Sequence, residues 1–232
     1  YFKWDCNSPI TNVYSAYLKD KQSHLYIEHV RGLYKVLKRV KDKYPTLPMM
    51  LCSGGGARCD YEALKYFTEF WASDNTDGVE RIFIQWGFSH FFPSKSIAAH
   101  VTSWGKQPLK FRLDVAMMCK LGFDIQLKEM SENEQKLCQD VVKNFKRLQP
   151  VILDGDMYRL VSPYDTDHAA VIYNSKDKNK AILFAYDIHP RFAEQLQPVR
   201  LNGLDPDKRY KVEEINVIKE DRQGRRPMPS VN

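Results

Sequence analysis

Short apolar runs alternate with long amphipathic ones through the first two thirds of the chain. That alternation restricts it to a parallel sheet covered by helices. Residues 1–5 read as a strand. Residues 23–43 carry Leu25, Val30, Leu33, Tyr34, Leu37 and Val40 at spacings that line one helix face. Pro45 and Pro48 close that helix, and residues 47–52 read as a buried strand leading into the loop Ser53-Gly54-Gly55-Gly56. A helix over about 60–69 follows, then a short strand near 69–73 that ends at Asp74. Asp77 and Glu80 resemble a capping box opening a helix over 77–89. Between Phe91 and Leu109 the pattern predicts a strand plus a long loop. Then come a helix over 111–120, a strand over Gly122–Ile125 and a helix over 131–148 capped by Ser131 and Glu134.

The texture changes after Pro150. Tyr158–Val161, Ala169–Tyr173, Ala181–Tyr186 and Tyr210–Ile218 are β-like, and Asp154-Gly155, Asn202-Gly203 and Asp205-Pro206-Asp207 mark turns between them. A domain boundary near 149–151 therefore separates an α/β region (1–149) from an antiparallel β domain (150–232). The first region holds four or five strand–helix units where a closed (β/α)8 barrel needs eight. The opening Tyr1-Phe2-Lys3-Trp4-Asp5 lacks an initiator Met, and the tail ends without closure. Both favour part of a barrel over an open sheet.

Composition narrows the function. The chain is 43% hydrophobic and 12% aromatic, as an ordinary folded protein is. No apolar run approaches the ~18 residues of a membrane span, so no membrane partner is expected. The net charge of +6 invites a nucleic-acid partner. The basic residues, however, gather on a helix face (Lys35, Lys38, Arg39, Lys41, Lys43) and in the tail (Arg222, Arg225, Arg226), and a solvated helix face explains the first cluster better than a phosphate-binding stripe does. The five cysteines are odd in number and lack C-x-x-C pairs or suitably spaced histidines, so free thiols are expected rather than zinc ligands or disulfides.

Three segments can do chemistry. Lys3, Asp5 and Asn7 alternate along the first strand and share one face at its C-terminal end, where parallel α/β folds place catalytic groups. A lysine there favours an ionised carboxylate, as a nucleophile requires; a turn or helix-capping role for Asp5 is the plainer alternative. Cys52-Ser53-Gly54-Gly55-Gly56 lets the backbone approach a ligand closely. It lacks the Lys-Ser/Thr of a P-loop, having Ala57-Arg58 there, and a tight turn without a ligand also fits. Trp71-Ala72-Ser73-Asp74 ends another strand with a second carboxylate after an indole, a pairing suited to the apolar face and hydroxyls of a sugar. Two carboxylates on different strand ends can flank a glycosidic bond, one attacking C1 and the other protonating the leaving oxygen. Asp77 reads as an N-cap.

Taken in order, Lys3–Asn7, Cys52–Arg58 and Trp71–Arg81 closely resemble the signatures of glycoside hydrolase family 36 α-galactosidases. The likeness continues through Ile84–Gly87, Ala99–Thr102, Leu109–Ile125 and Val199–Tyr210. This resemblance implies a (β/α)8 barrel present only in part, from about its fourth strand, followed by an antiparallel β-sandwich domain. It implies Asp5 as the nucleophile and Asp74 as the general acid/base of a retaining α-galactosidase. Lys3 and Asn7 would contact sugar hydroxyls, Cys52, Gly54 and Gly55 would lie against the 2-hydroxyl, and Trp71 would line the pocket. Desolvation by Trp71 and by closure of the pocket, with Asp5 as a nearby like charge, is expected to keep Asp74 protonated for its role as acid.

No metal or organic cofactor is implied. The partner is an α-galactoside such as melibiose, a raffinose-type oligosaccharide or a galactomannan side chain, and a homo-oligomer stays open for the full-length protein. The sequence departs from the family at Cys6, where many members carry Met, and at Ala57-Arg58-Cys59-Asp60, where Gly-Arg-Phe-Asp is usual. The chain alone is expected to be a poor enzyme, because the missing strands supply further sugar contacts. Competing readings are an α-N-acetylgalactosaminidase or galactosyl transglycosylase of the same family, a non-catalytic carbohydrate-binding fragment, and a phosphate-binding barrel.

Overall fold

A computed structural model of the chain describes residues 1–7, 10–192 and 197–217. Ile218 and the basic tail cluster lie outside the described residues. The chain divides into two compact units, Tyr1–Asp74 and Asn75–Asn232.

In the first unit, apolar runs too short for a helix become strands: β1 (Phe2–Trp4), β2 (Met49–Leu51) and β3 (Glu69–Trp71). They pair in parallel, with Trp4 opposite Leu51 and Leu51 opposite Phe70. β2 and β3 are buried throughout. The crossover between β1 and β2 is α1 (Leu25–Lys43), on which Leu25 and Leu37 are buried while Val30 is exposed. Its C-terminal half is tied down by the Tyr34 hydroxyl, which donates to Asp60, and by the Lys41 ammonium, 3.2 Å from the Leu47 carbonyl.

The helix expected over 60–69 does not form. The Asp60 carboxylate takes the Ala63 N–H at 2.8 Å, which closes a short 3-10 turn over Ala63–Lys65. Thr68 then bonds the Met49 carbonyl through both its N–H (2.8 Å) and its hydroxyl (3.0 Å), pulling the chain into β3 before a second turn can add.

The second unit begins with α2 (Gly78–Phe88). Asp77 caps it by accepting from the N–H groups of Val79 and Glu80 at 2.9 and 3.2 Å. The Asp77 N–H donates to the Asn75 side chain at 3.1 Å. β4 (Ile97–Thr102) and β5 (Lys120–Asp124) pair in parallel from Ala98 opposite Lys120 to Thr102 opposite Asp124. α3 (Leu109–Ala116) joins them, ending earlier than the 111–120 pattern because Met118 to Cys119 turn directly into β5. Two buried polar residues of α2 fasten this region. The Arg81 guanidinium donates to the Ala98 carbonyl at 2.8 Å, and the Gln85 amide donates to the Val115 carbonyl at 2.9 Å. Burial pushes the Arg81 guanidinium down to about 10.

α4 (Glu132–Asp154) opens with a complete Ser131/Glu134 capping box and runs through Pro150, which lacks the N–H for one helical bond. The change to antiparallel sheet therefore comes at Gly155, inside the region read as β and past the boundary placed at 149–151. β6 (Asp156–Val161), β7 (His168–Asn174) and β8 (Ala181–Asp187) form that sheet in the order β6-β7-β8. Its underside carries Ala169 into a cluster with Ile82, Val115 and Ile188, and Phe83, Phe111 and Tyr186 pack around them.

Tyr173 and Tyr186 send their hydroxyls to the carbonyls of Met118 (2.8 Å) and Asp114 (3.0 Å), so the buried polar ends are satisfied. Residues 210–217, expected as a strand, hold none. Asn216, with φ +56°, instead plugs its amide between Asn144 (2.9 Å) and Asp114 (2.7 Å). Those side-chain bonds take the place of a strand ladder there.

Candidate active site

The register of the first unit assembles the site. One residue beyond the paired Trp4, Leu51 and Phe70 come Asp5, Cys52 and Trp71, which share the next rung at the C-terminal ends of the three strands. The ladder continues to this rung, because the Cys52 N–H donates to the Trp4 carbonyl at 2.9 Å. Lys3, two residues back on β1, lies on the same face.

Its ammonium sits 3.7 Å from the Asp5 carboxylate and 5.2 Å from the centre of the Trp71 ring. The Trp71 indole N–H donates to the Asp74 carboxylate at 2.8 Å. Asp5, Lys3, Trp71 and Asp74 thus form one connected series. Lys3 and Asp5 are about half-exposed, and such pairs contribute only ~0–1 kcal/mol to stability. The series therefore does little to hold the fold, and its effect is to place two carboxylates.

Trp71 is buried and Asp74 is exposed. The indole N–H orients the Asp74 carboxylate. Cys52 is fully buried, and burial pushes its thiol up, with a hydrogen bond to Asp5 adding to the rise. Held as a thiol, it is a donor to the Asp5 carboxylate. Cys6, the departure from the family pattern, is exposed, and all five cysteines are free.

The glycine loop is fully engaged with its own surroundings. The Ser53 N–H donates to the Gly55 carbonyl at 2.9 Å, the Gly54 N–H to the Asn7 side chain, the Gly55 N–H to the Cys52 sulfur and the Gly56 N–H to the Ala72 carbonyl at 3.0 Å. No N–H of these four points to an anion, which removes the phosphate cradle weighed above. The Asn7 side-chain oxygen is engaged by the Gly54 N–H.

Gly55 has φ +96°, and a Cβ there would lie 2.9 Å from the Ser73 Cα and 3.2 Å from the Ala72 carbonyl oxygen. Its role is to let two strand-end loops touch. Gly55→Ala is expected to destabilise the protein by about 1–3 kcal/mol, read as a fall in the denaturant midpoint at unchanged m-value; a midpoint within error of the parent would refute the close approach. Arg58, which stands where a P-loop has Ser or Thr, donates to the Cys52 carbonyl at 2.5 Å and ties the loop to the end of β2. Its role was hidden in the sequence, because only the fold brings its guanidinium under β2.

Comparison with known families decides the identity of this frame. Residues 1–155 match the model described as Melibiase, and residues 168–225 match the Glycosyl hydrolase family 36 C-terminal domain. The chain belongs to the melibiase family, within glycoside hydrolase family 36. Alpha-galactosidase 1 of Pediococcus pentosaceus is 34% identical over 217 residues, covering 90% of this chain and 30% of its own length.

A variant of the family 36 α-galactosidase AgaA from Geobacillus stearothermophilus, solved in complex with stachyose, superposes with a TM-score of 0.88 at 31% identity. The match covers 92% of this chain and 31% of AgaA. A second AgaA variant, in complex with raffinose, gives 0.83 at 29% identity, covering 90% and 30%. The chain therefore spans about 30% of the length of the family 36 proteins it matches. β1 to β5 with their helices are part of a (β/α)8 barrel, and β6 to β8 belong to the β domain that follows it.

Proposed function

We propose that this chain carries the catalytic carboxylates of a retaining α-galactosidase, with Asp5 as nucleophile and Asp74 as general acid/base. The observation that supports it most is the series running from Asp5 through Lys3 and Trp71 to Asp74, which presents both carboxylates from the C-terminal ends of β1 and β3, the two parallel strands that flank β2. The substrate is a terminal α-D-galactosyl unit on melibiose, a raffinose-type oligosaccharide or a galactomannan side chain. This fits the raffinose and stachyose bound by AgaA. We place the boundary between the barrel and the β domain at Gly155.

Asp5 attacks the anomeric carbon from the β face while Asp74 delivers its proton to the glycosidic oxygen, and the C1–O bond to the leaving sugar breaks. The product is a β-galactosyl ester on Asp5. Asp74, now a carboxylate, takes a proton from water as the water oxygen bonds to C1. The ester bond to Asp5 breaks, and galactose leaves in the α configuration. Lys3 and the Cys52 thiol hold the Asp5 carboxylate in place at the start and take up its charge again at the end. Trp71 fixes the Asp74 carboxyl through its indole N–H.

With Cys52, Gly54 and Gly55 read as lying against the sugar's 2-hydroxyl, little space is left for a bulky 2-substituent. Full-length protein should therefore hydrolyse an aryl α-galactoside with kcat/KM about 100-fold above that for the aryl α-N-acetylgalactosaminide. Equal or reversed preference would point to the acetamido sugar instead.

A further inference from the structure

Asp5 stands one residue past the end of β1 with its side chain half-exposed, so its carboxylate is aimed by the backbone that carries it more than by packing. That backbone is held on both sides. Ahead of Asp5, the Trp4 carbonyl accepts the Cys52 N–H at 2.9 Å and, more loosely, an Arg58 N–H at 3.5 Å. After it, the Cys6 carbonyl accepts the Ser53 hydroxyl at 2.7 Å. The Arg58 nitrogen that reaches Trp4 is the one that donates to the Cys52 carbonyl at 2.5 Å. The carbonyls of the residues on either side of Asp5 are thus gripped by one short segment, residues 52–58.

This segment has anchors of its own. The Gly54 N–H donates to the Asn7 side chain, and the Gly56 N–H donates to the Ala72 carbonyl at 3.0 Å, beyond β3. Past Arg58, the Asp60 carboxylate accepts the Tyr34 hydroxyl from α1 and the Ala63 N–H at 2.8 Å. A segment tied to β1, β3 and α1 can hold its partners in fixed positions.

Stability alone is a poor account of Arg58. Its Nε–H is buried and has no hydrogen-bond partner among the described residues, and burying a donor without an acceptor disfavours the fold. What the guanidinium gains there is a grip on the strand end that bears Asp5. Such a grip matters for chemistry, since a misplacement of about 1 Å can cost on the order of 100-fold in rate.

We infer that Arg58 and Ser53 are positioning residues for the nucleophile, clamping the backbone before and after Asp5 so that its carboxylate faces the anomeric carbon. They act through the main chain and not on the sugar. The inference rests on the reading of Asp5 as nucleophile and deepens it.

The test uses the full-length protein and a nitrophenyl α-galactoside. Ser53→Ala and Arg58→Met should each lower kcat about 10–100-fold while KM stays within about twofold of the parent. Ser53→Thr and Arg58→Lys, which keep a hydroxyl and an N–H donor, should recover part of the loss. The Asp5→Gly enzyme supplied with azide gives the deciding comparison. There an azide nitrogen bonds to C1 as nitrophenolate leaves, and no carboxylate needs aiming, so adding Ser53→Ala should cost no more than about twofold. Equal losses with and without Asp5, or a parent-like kcat for Ser53→Ala, overturn the clamp, and Ser53→Ala decides alone if Arg58→Met does not fold. An active parent whose Asp5→Gly variant keeps its turnover, or is not revived by azide, overturns the nucleophile reading and the clamp with it. A parent that hydrolyses no α-galactoside overturns the α-galactosidase reading itself.

Discussion

Asp5→Gly in the full-length protein should abolish turnover of α-galactosides, and added azide should restore consumption of an activated substrate with galactosyl azide of β configuration as the product. The expected loss is on the order of 10⁴–10⁶-fold, the range found when an enzyme loses its covalent nucleophile. The stereochemistry follows from position. Removing the carboxylate opens a space on the β face of C1, a small anion can occupy it, and no group remains to displace the azide once it has bonded. The substitution spares the fold, since Asp5 lies beyond the end of β1 with its side chain 41% exposed. An azide of α configuration, or activity within tenfold of the parent, would remove Asp5 from the nucleophile's role.

The sequence exposes the strands of this site readily because each is a brief apolar run between turn signals, and the carboxylates stand where those runs stop. β2, β3 and β4 are mostly buried, so they lack a polar face that could blur their limits. Segments whose conformation depends on a distant partner are harder to read. Residues 60–69 have a helical pattern, yet Asp60 and Thr68 bond locally and across to Met49, and those bonds outweigh propensity. Tyr210–Val217 look like a strand, but Asn216 is bound by residues about 70 and 100 positions away.

Within the site, strand alternation places Lys3 and Asp5 together and says nothing of Arg58 or the Cys52 thiol, whose partners lie on other strands. Asn7 shows the limit of the period-two rule. β1 has ended by that point, and the side chain turns to Gly54.

Asp74→Ala separates the two carboxylates by leaving group. With melibiose the departing sugar needs a proton, and kcat/KM should fall about 10²–10⁴-fold. α-Galactosyl fluoride departs with little need of an acid, so formation of the galactosyl-enzyme should be slowed far less. The same variant also lacks the base that activates water, so the β-galactosyl ester on Asp5 should accumulate and give a burst with the fluoride. Azide attacks that ester without proton removal and should speed its breakdown, yielding galactosyl azide of α configuration, opposite to the Asp5→Gly product. Trp71→Phe supplies the control for positioning. It keeps an aromatic ring and removes the 2.8 Å indole donor to Asp74, so it should lower the melibiose rate more than the fluoride rate and produce no burst. If Asp74→Ala instead slows both substrates equally and gives a β azide, the proton donor must be sought elsewhere on the rim.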